Sequence, residues 1–185
     1  MKKILYIVAS IFILWGCSSA PSVETDNIKV IESPNGKLKM TFLLTSDGRP
    51  QYLLDYENKP VILQSNLGFE LRGVLKSQKI NYHNDGTITK SDREPCNSLY
   101  DGFSIESVDT VSVDETWKPV WGEEEIIRNN YNELLVNMIQ HSTGRKMAVR
   151  FRIFNDGLGF RYEFPYQKDL SYFVIKEEIT EFSLT

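Results

Sequence analysis

From residue 28 onward, the chain alternates apolar and polar side chains in short runs that turn-forming residues separate. One run has an apolar side chain at every second position, namely Leu38, Met40, Phe42 and Leu44. Successive side chains of an extended strand point to opposite faces, so this period buries one face and leaves the other in water. Ser33-Pro34-Asn35-Gly36 before the run and Asp47-Gly48 after it are turn signals. The run therefore predicts a half-buried strand of a sheet.

The same period recurs along the rest of the chain. The further runs are Tyr52, Leu54 and Tyr56; Leu67, Phe69 and Leu71; Leu134, Val136 and Met138; Met147, Val149, Phe151 and Ile153; and Leu158, Phe160, Tyr162 and Phe164. Asn155-Asp156-Gly157 joins the last two runs, which is a strong hairpin signal. In that hairpin Arg150 and Arg152 share a side with Arg161 and Glu163, so opposite charges can pair across the strands.

One segment, Glu123 to Leu135, is ambiguous between helix and strand. Glu124 and Arg128 have the spacing of a helical ion pair, but Asn129, Asn130 and Tyr131 are poor helix formers. Extended or irregular structure is therefore favoured. With no repeat and no heptad pattern, the chain is predicted to be all-β, an antiparallel sandwich spanning residues 28–185.

The N-terminus predicts export. Lys2 and Lys3 precede an apolar run, Ile4 to Leu14, which is shorter than the roughly 20 residues that span a membrane. Leu14-Trp15-Gly16-Cys17 resembles a lipobox, although the tryptophan is unusual there, so residues 1–17 are interpreted as a lipoprotein signal peptide with lipidation at Cys17. The alternative is an ordinary secretory peptide in which Cys17 is incidental. Residues 18–27 are expected to form a flexible tether.

Composition bears on which kinds of partner the protein binds. The net charge of -4 comes from acidic and basic residues that are mixed along the chain, so no basic patch indicates nucleic-acid binding. The segment Ser18 to Ser22 lacks acidic residues, which favours a periplasm-facing membrane anchor over a cell-surface one. If Cys17 carries lipid, Cys96 is the other cysteine and no internal disulfide can form.

Two groups of residues are candidates for chemistry. Glu123, Glu124 and Glu125 could bind Ca²⁺ or act as acid and base, but consecutive strand residues alternate in direction, and a solvated face is favoured. Trp117 and Trp121 could stack on sugar rings, or they could fill the core or a domain interface. His83 and His141 stand far apart with no cysteine pair to complete a zinc site.

Four ordered motifs carry a resemblance to a known family. They are SLYDGF at 98–103, DETWKPVWGEE at 114–124, IRNNYNEL at 127–134 and RFRIFNDGLGFRYEFP at 150–165. Together they resemble the N-terminal domain of glycoside hydrolase family 97, over about Ser33 to Glu178. Within that family, the likeness is greatest to an α-glucosidase of starch utilisation in Bacteroides.

The resemblance implies a galactose-mutarotase-like β-supersandwich followed by a (β/α)₈ barrel and a small C-terminal β domain. Such enzymes cleave α-glucosides by inversion or α-galactosides by retention, with Ca²⁺ in the active site. The barrel supplies the catalytic carboxylates, and this sequence reaches only Thr185, within the supersandwich. No catalytic residue and no metal ligand therefore carries over, and Ca²⁺ is expected only in a full-length parent.

The expected function is that of the N-terminal, carbohydrate-associated domain of an α-glycosidase, with an α-linked oligosaccharide from starch as substrate of the parent. The domain would brace the barrel and help to form its pocket, and by itself it would be inactive. The candidate pocket or barrel-interface residues are Trp117, Trp121, Glu123, Arg128, Asn129 and Tyr131. The alternative is a stand-alone, lipid-anchored sugar-binding or structural module.

Overall fold

The structure, a computed structural model, describes residues 25–72, 79–82, 85–91 and 97–185. The strands are β1 Ile28–Glu32, β2 Leu38–Leu44, β3 Pro50–Tyr56, β4 Lys59–Asn66, β5 Phe69–Leu71, β6 Lys79–Tyr82, β7 Ile88–Ser91, β8 Ser98–Leu99, β9 Phe103–Trp117, β10 Ile127–Gln140, β11 Lys146–Ile153, β12 Leu158–Glu163 and β13 Ile175–Glu178. Short 3₁₀ turns occupy Thr25–Asn27, at the end of the predicted tether, and Lys168–Leu170. The predicted signal peptide, Cys17 and the tether residues 18–24 lie outside the described residues.

The strands form antiparallel sheets throughout the described residues, which confirms the predicted fold class. The order in the first sheet is β1-β2-β3-β4, and in the second it is β12-β11-β10-β9. A smaller sheet has the order β13-β5-β8, and β6 pairs with β7. Neighbours in both large sheets are consecutive in sequence, because tight turns can join antiparallel strands directly. The segment Glu123 to Leu135, predicted to be extended or irregular rather than helical, is extended from Ile127 onward as β10.

The two large sheets face each other across one apolar core. The four apolar residues of β2 and the four of β11 named above are buried, as their alternation predicts. The ring of Phe151 lies 6.0 Å from that of Phe42 and 6.3 Å from that of Tyr52, centroid to centroid, so aromatic contacts join the sheets. Tilted aromatic pairs stabilise a core beyond the area that they bury.

Tyr56 and the apolar residues of β12 are less buried than their alternation suggests. Tyr56 is 41% exposed because it is the last residue of β3, beside the turn at Glu57 and Asn58. The apolar residues of β12 are only half-buried, because β12 is the edge strand of its sheet. Alternation identifies the inward face, but the position of a strand in its sheet decides how completely that face is covered.

The segment 179–184 closes the sandwich along β4. The amide of Leu63 donates to the carbonyl of Ser183 over 2.7 Å, and the hydroxyl of Tyr52 donates to the carbonyl of Glu181 over 2.9 Å. The ring of Phe182 stacks on that of Phe160, 5.9 Å between centroids. The segment therefore contacts strands of both large sheets.

A glycine turn fixes the start of β9 against the first sheet. Gly48 has φ +73°, and a Cβ there would lie 2.4 Å from the backbone nitrogen of Phe103. The same nitrogen donates to the carbonyl of Gly48 over 3.0 Å, and the amide of Gly102 donates to the carbonyl of Asp47 over 2.9 Å. Only a residue without a side chain permits this approach, which sets where β9 leaves the core.

Candidate functional site

The paired strands β9 and β10 extend beyond the rest of their sheet. β11 pairs with β10 between Asn132 and Ile139, whereas β9 pairs with β10 from Ile127 to Gln140. Within the described residues, Ile127 to Tyr131 therefore have ladder partners only in β9. We call residues 113–131 the ribbon and its connecting loop, residues 118–126, the tip. The ribbon holds all six candidate residues of the sequence analysis.

Polar contacts fasten the two strands of the ribbon. Arg128 donates from Nε and Nη2 to the two carboxylate oxygens of Asp114, over 2.8 and 2.7 Å. Asn129 donates to Glu115 over 2.9 Å. The hydrogen bond from Arg128 holds the pKa of Asp114 below its ordinary value. Exposed pairs of this kind contribute little to stability, so their effect is to join the two strands of the ribbon.

The tip presents apolar side chains to solvent. Trp121 is 89% exposed and Val120 fully so, while Ile126 and Trp117 beside them are 54% and 52% exposed. Of the alternatives left open for the two tryptophans, this exposure excludes that of filling this domain's own core. Exposed apolar side chains this close together in sequence are candidates for an interaction surface.

The six candidate residues do not form one cluster. Trp117, Asn129 and Tyr131 lie on one face of the ribbon, because Trp117 is opposite Ile127 in the ladder and the two strands keep their alternation. Arg128 lies on the opposite face, and Trp121 and the exposed Glu123 belong to the tip.

Tyr131 is a packing residue at the base of the ribbon. It is 6% exposed, its ring lies 5.2 Å from that of Phe154, and the guanidinium of Arg152 lies 4.6 Å from its ring centroid. A cation over an aromatic face is attracted by the ring quadrupole. Tyr131 therefore fixes the ribbon to β11 and the turn that follows.

A charge network around Glu133 and Glu163 lies beside this base. Glu133 is 7% exposed and accepts hydrogen bonds from Arg150 and from Nε of Arg152, the latter over 2.7 Å. Arg150 also donates from Nε to Glu163 over 2.6 Å, and Arg161 donates to Glu163 over 2.8 Å. The predicted cross-strand pairing is confirmed for Arg150 and Glu163, whereas Arg152 pairs with Glu133 instead. Glu133 was missed as the centre, although it follows Tyr131 by two residues and so shares its face.

The network shifts the titration of both carboxylates. The hydrogen bond from Arg150 lowers the pKa of Glu163 to about 2. Burial raises the pKa of Glu133, but hydrogen bonds from Arg152 and Arg150 outweigh it and the net direction is downward. Both groups are held ionised and paired, which suits a structural ion network and not a proton donor or acceptor.

The described residues supply no metal centre. Among them, no three His, Cys, Asp or Glu side chains stand close enough to hold an ion. Of the acidic run, Glu125 pairs with Lys118 over 3.0 Å, and Glu123 and Glu124 face solvent. His141 is exposed, while His83 and Cys96 lie outside the described residues. No helix in the described part of the chain is long and apolar enough to cross a membrane.

Comparisons with known proteins agree with the motifs. The family described as Glycosyl-hydrolase 97 N-terminal matches residues 31–185. A glycoside hydrolase family 97 enzyme from Pseudoalteromonas sp. strain K8 in complex with acarbose is 29% identical, with a TM-score of 0.67. A variant of that enzyme in complex with panose is also 29% identical, with a TM-score of 0.66. Each match covers 84% of this chain and 20% of the solved one. A β-arabinopyranosidase, 20% identical over 85% of this chain and 21% of its own, shares the fold with a TM-score of 0.64.

Proposed function

Since the chain belongs to the glycosyl-hydrolase 97 N-terminal family, we propose that it forms the N-terminal domain of an α-glycosidase, an α-glucosidase acting on starch-derived oligosaccharides. Its sandwich braces a catalytic barrel that follows it, and its surface helps to form the substrate pocket. By itself the chain hydrolyses no glycoside.

The family match over residues 31–185 carries this proposal. The substrate class is supported by two solved structures of the Pseudoalteromonas enzyme, each 29% identical to this chain, which hold panose and acarbose. Because this chain covers only 20% of those enzymes, the activity rests on the part that they have in addition. The paired, ionised state of Glu133 and Glu163 agrees with a bracing role, since it leaves neither carboxylate available for acid–base catalysis.

The experiment begins with the DNA that follows codon 185. An in-frame continuation would be expressed as the parent enzyme and assayed with 4-nitrophenyl α-glucoside, with the α-galactoside as the matched alternative. We expect release of nitrophenol from the α-glucoside and none from this chain alone. An α-galactosidase would overturn the substrate assignment, and a genuine stop codon would overturn the bracing function.

We further propose that lipid on Cys17 tethers the protein to a membrane on its periplasmic side. Cys17→Ser should move the protein from the membrane to the soluble fraction, and mass spectrometry of the N-terminal peptide should lose the acyl mass. Retention of the variant in the membrane would contradict the anchor. We propose Ca²⁺ as a cofactor of the parent, to which we assign no ligand in this chain.

A second candidate function, that of a stand-alone sugar-binding module, is favoured by one observation. The indoles of Trp117 and Trp121 are exposed and could stack on sugar rings. Titration of the chain with maltotriose in a calorimeter tests it, with Trp121→Ala as the variant and Tyr166→Ala, an exposed aromatic residue elsewhere, as the control. Binding that only Trp121→Ala abolishes would support the module.

A further inference from the structure

The tip is an apolar surface that the described residues do not cover. Its two most exposed apolar residues, Val120 and Trp121, are adjacent in sequence, and Ile126 and Trp117 flank them. The core of the domain lies at the other end of β9 and β10, where Leu134, Val136 and Met138 are buried. The exposed set therefore stands apart from the apolar residues that stabilise this domain, and its exposure in water is unfavourable unless something covers it.

The ribbon presents this surface in a defined geometry. The Arg128–Asp114 and Asn129–Glu115 contacts join its strands, and Lys118 pairs with Glu125 across the tip. A surface that is ordered before it binds loses less conformational entropy on binding. The tip is therefore held in place by contacts within the ribbon.

The charged residues of the tip indicate which charge a partner surface should carry. Of the three consecutive glutamates, Glu125 is paired with Lys118, and no ion pair in the described part of the chain holds Glu123 or Glu124. The carboxylates of Glu123 and Glu124 lie close in sequence to the exposed apolar side chains of the tip. A partner surface that complements both is an apolar recess with a cationic rim.

The enzymes that this chain matches are much longer than the chain itself. The part that matches this chain is 20% of the solved polypeptide, so a far larger body of protein accompanies the matching domain there. Branched aliphatic side chains such as Val120 and Ile126 pack well against protein but offer no flat face to a sugar ring. A protein surface therefore suits the whole tip better than a sugar does.

We propose that the tip, with Trp117, docks into an apolar recess with a cationic rim on the catalytic domain of the same polypeptide and fixes the orientation of the two domains. This inference rests on the proposed function, because it requires that a catalytic domain follows. The ribbon then acts as the strut through which the sandwich holds the barrel.

Hydrogen–deuterium exchange on the parent enzyme tests the docking. Without added sugar, we expect amides of residues 118–126 to exchange at least tenfold more slowly than in an unstructured peptide of that sequence. The double variant Glu123→Lys with Glu124→Lys should lose that protection, because it places positive charge against a cationic rim. Asp156→Lys, at the exposed turn between β11 and β12, is the matched control and should leave the tip protected. Protection of β11 amides should be the same in all three proteins, which separates undocking from unfolding.

The alternatives give different results. An unprotected tip in the wild-type parent overturns the docking. Protection that appears only with panose or acarbose overturns it in favour of a sugar subsite, and protection that depends on protein concentration overturns it in favour of a second copy. A parent that cleaves α-glucosides with an unprotected tip refutes this inference alone. A parent with a protected tip and no glycosidase activity refutes the proposed function alone.

Discussion

The charge network around Arg150 gives the sharpest prediction, which concerns Glu163→Gln. The substitution keeps the shape of the side chain and removes its charge. Glu163 accepts hydrogen bonds from Nε and Nη2 of Arg150, over 2.6 and 3.1 Å, and one from Arg161. The variant leaves Arg150 with Glu133 as its remaining carboxylate partner. We expect the free energy of unfolding to fall, by an amount that depends on pH.

The magnitude follows from the pKa of Glu163, which is about 2 in the folded protein and ordinarily 4.5. By linkage this difference corresponds to about 3.4 kcal/mol when the carboxylate is ionised in both states. The side chain of Glu163 keeps 30% exposure and that of Arg161 keeps 65%, so solvent screening reduces the effect. We therefore expect a loss of about 1–2 kcal/mol at pH 7.

The sign of the pH dependence is fixed because the folded pKa of Glu163 is the lower one. The stabilisation is present above pH 4.5 and is lost as the pH falls toward about 2. About three-quarters of it should remain at pH 4 and about a quarter at pH 2.5. Urea denaturation of the wild type and the variant at these pH values and at pH 7 measures the difference.

Glu106→Gln serves as the control for that experiment. Glu106 pairs with Lys146, but both side chains are more than 40% exposed, at 43% and 44%. Its removal should cost less than about 0.5 kcal/mol. A deficit in Glu163→Gln that is equally large at pH 7 and pH 2.5 would refute the argument, because it would arise from packing and not from charge.

Three further predictions concern the core, a turn and a buried phenol. Phe151→Ala should destabilise the protein by about 3–5 kcal/mol, because the ring is fully buried between the sheets, whereas the exposed Val111→Ala should change the urea midpoint little. Gly48→Ala should cost clearly more than Gly36→Ala, since both have a positive φ but only at Gly48 would a Cβ lie 2.4 Å from a backbone nitrogen; equal losses would show that φ alone matters. Burial raises the pKa of Tyr162 to about 12, so its phenol should stay protonated in the folded protein and favour unfolding as the pH rises above 10. In an alkaline titration followed by absorbance at 295 nm, the Tyr162→Phe variant should lack one phenol that ionises near pH 12 in the wild type.

Much of the fold could be predicted because alternation with a period of two identifies both an extended strand and the face that it buries. Where an alternating run lies in a central strand, as Met40 in β2 and Val149 in β11 do, the predicted residue is fully buried. The pattern cannot say which strand is central. Phe160 alternates as regularly, yet β12 is an edge strand and its side chains stay partly exposed.

The candidate site was less predictable, for two reasons. Residues such as Arg128 and Tyr131 are three apart, so a strand puts them on opposite faces, and one forms an exposed ion pair while the other is buried. Glu133 looks like a surface residue in sequence, because its burial depends on Arg150 and Arg152 from the neighbouring strand. Such contacts join residues far apart in the chain, and alternation within one strand does not contain them.

The exposure of the two tryptophans also could not be predicted from the sequence. A sequence window around Trp121 contains Pro119 and Gly122, which indicates a turn but not where the turn lies relative to the sheet. That position is set by the ladder, in which fourteen residues of β10 have partners in β9 while β11 reaches only Asn132 to Ile139. The turn therefore lies beyond the edge of the packed sheet, and an indole there has no core to enter. An apolar residue at the end of such a ribbon is covered by no other part of the described sandwich, so the exposure of Trp121 follows from its position in the ladder and not from its chemistry.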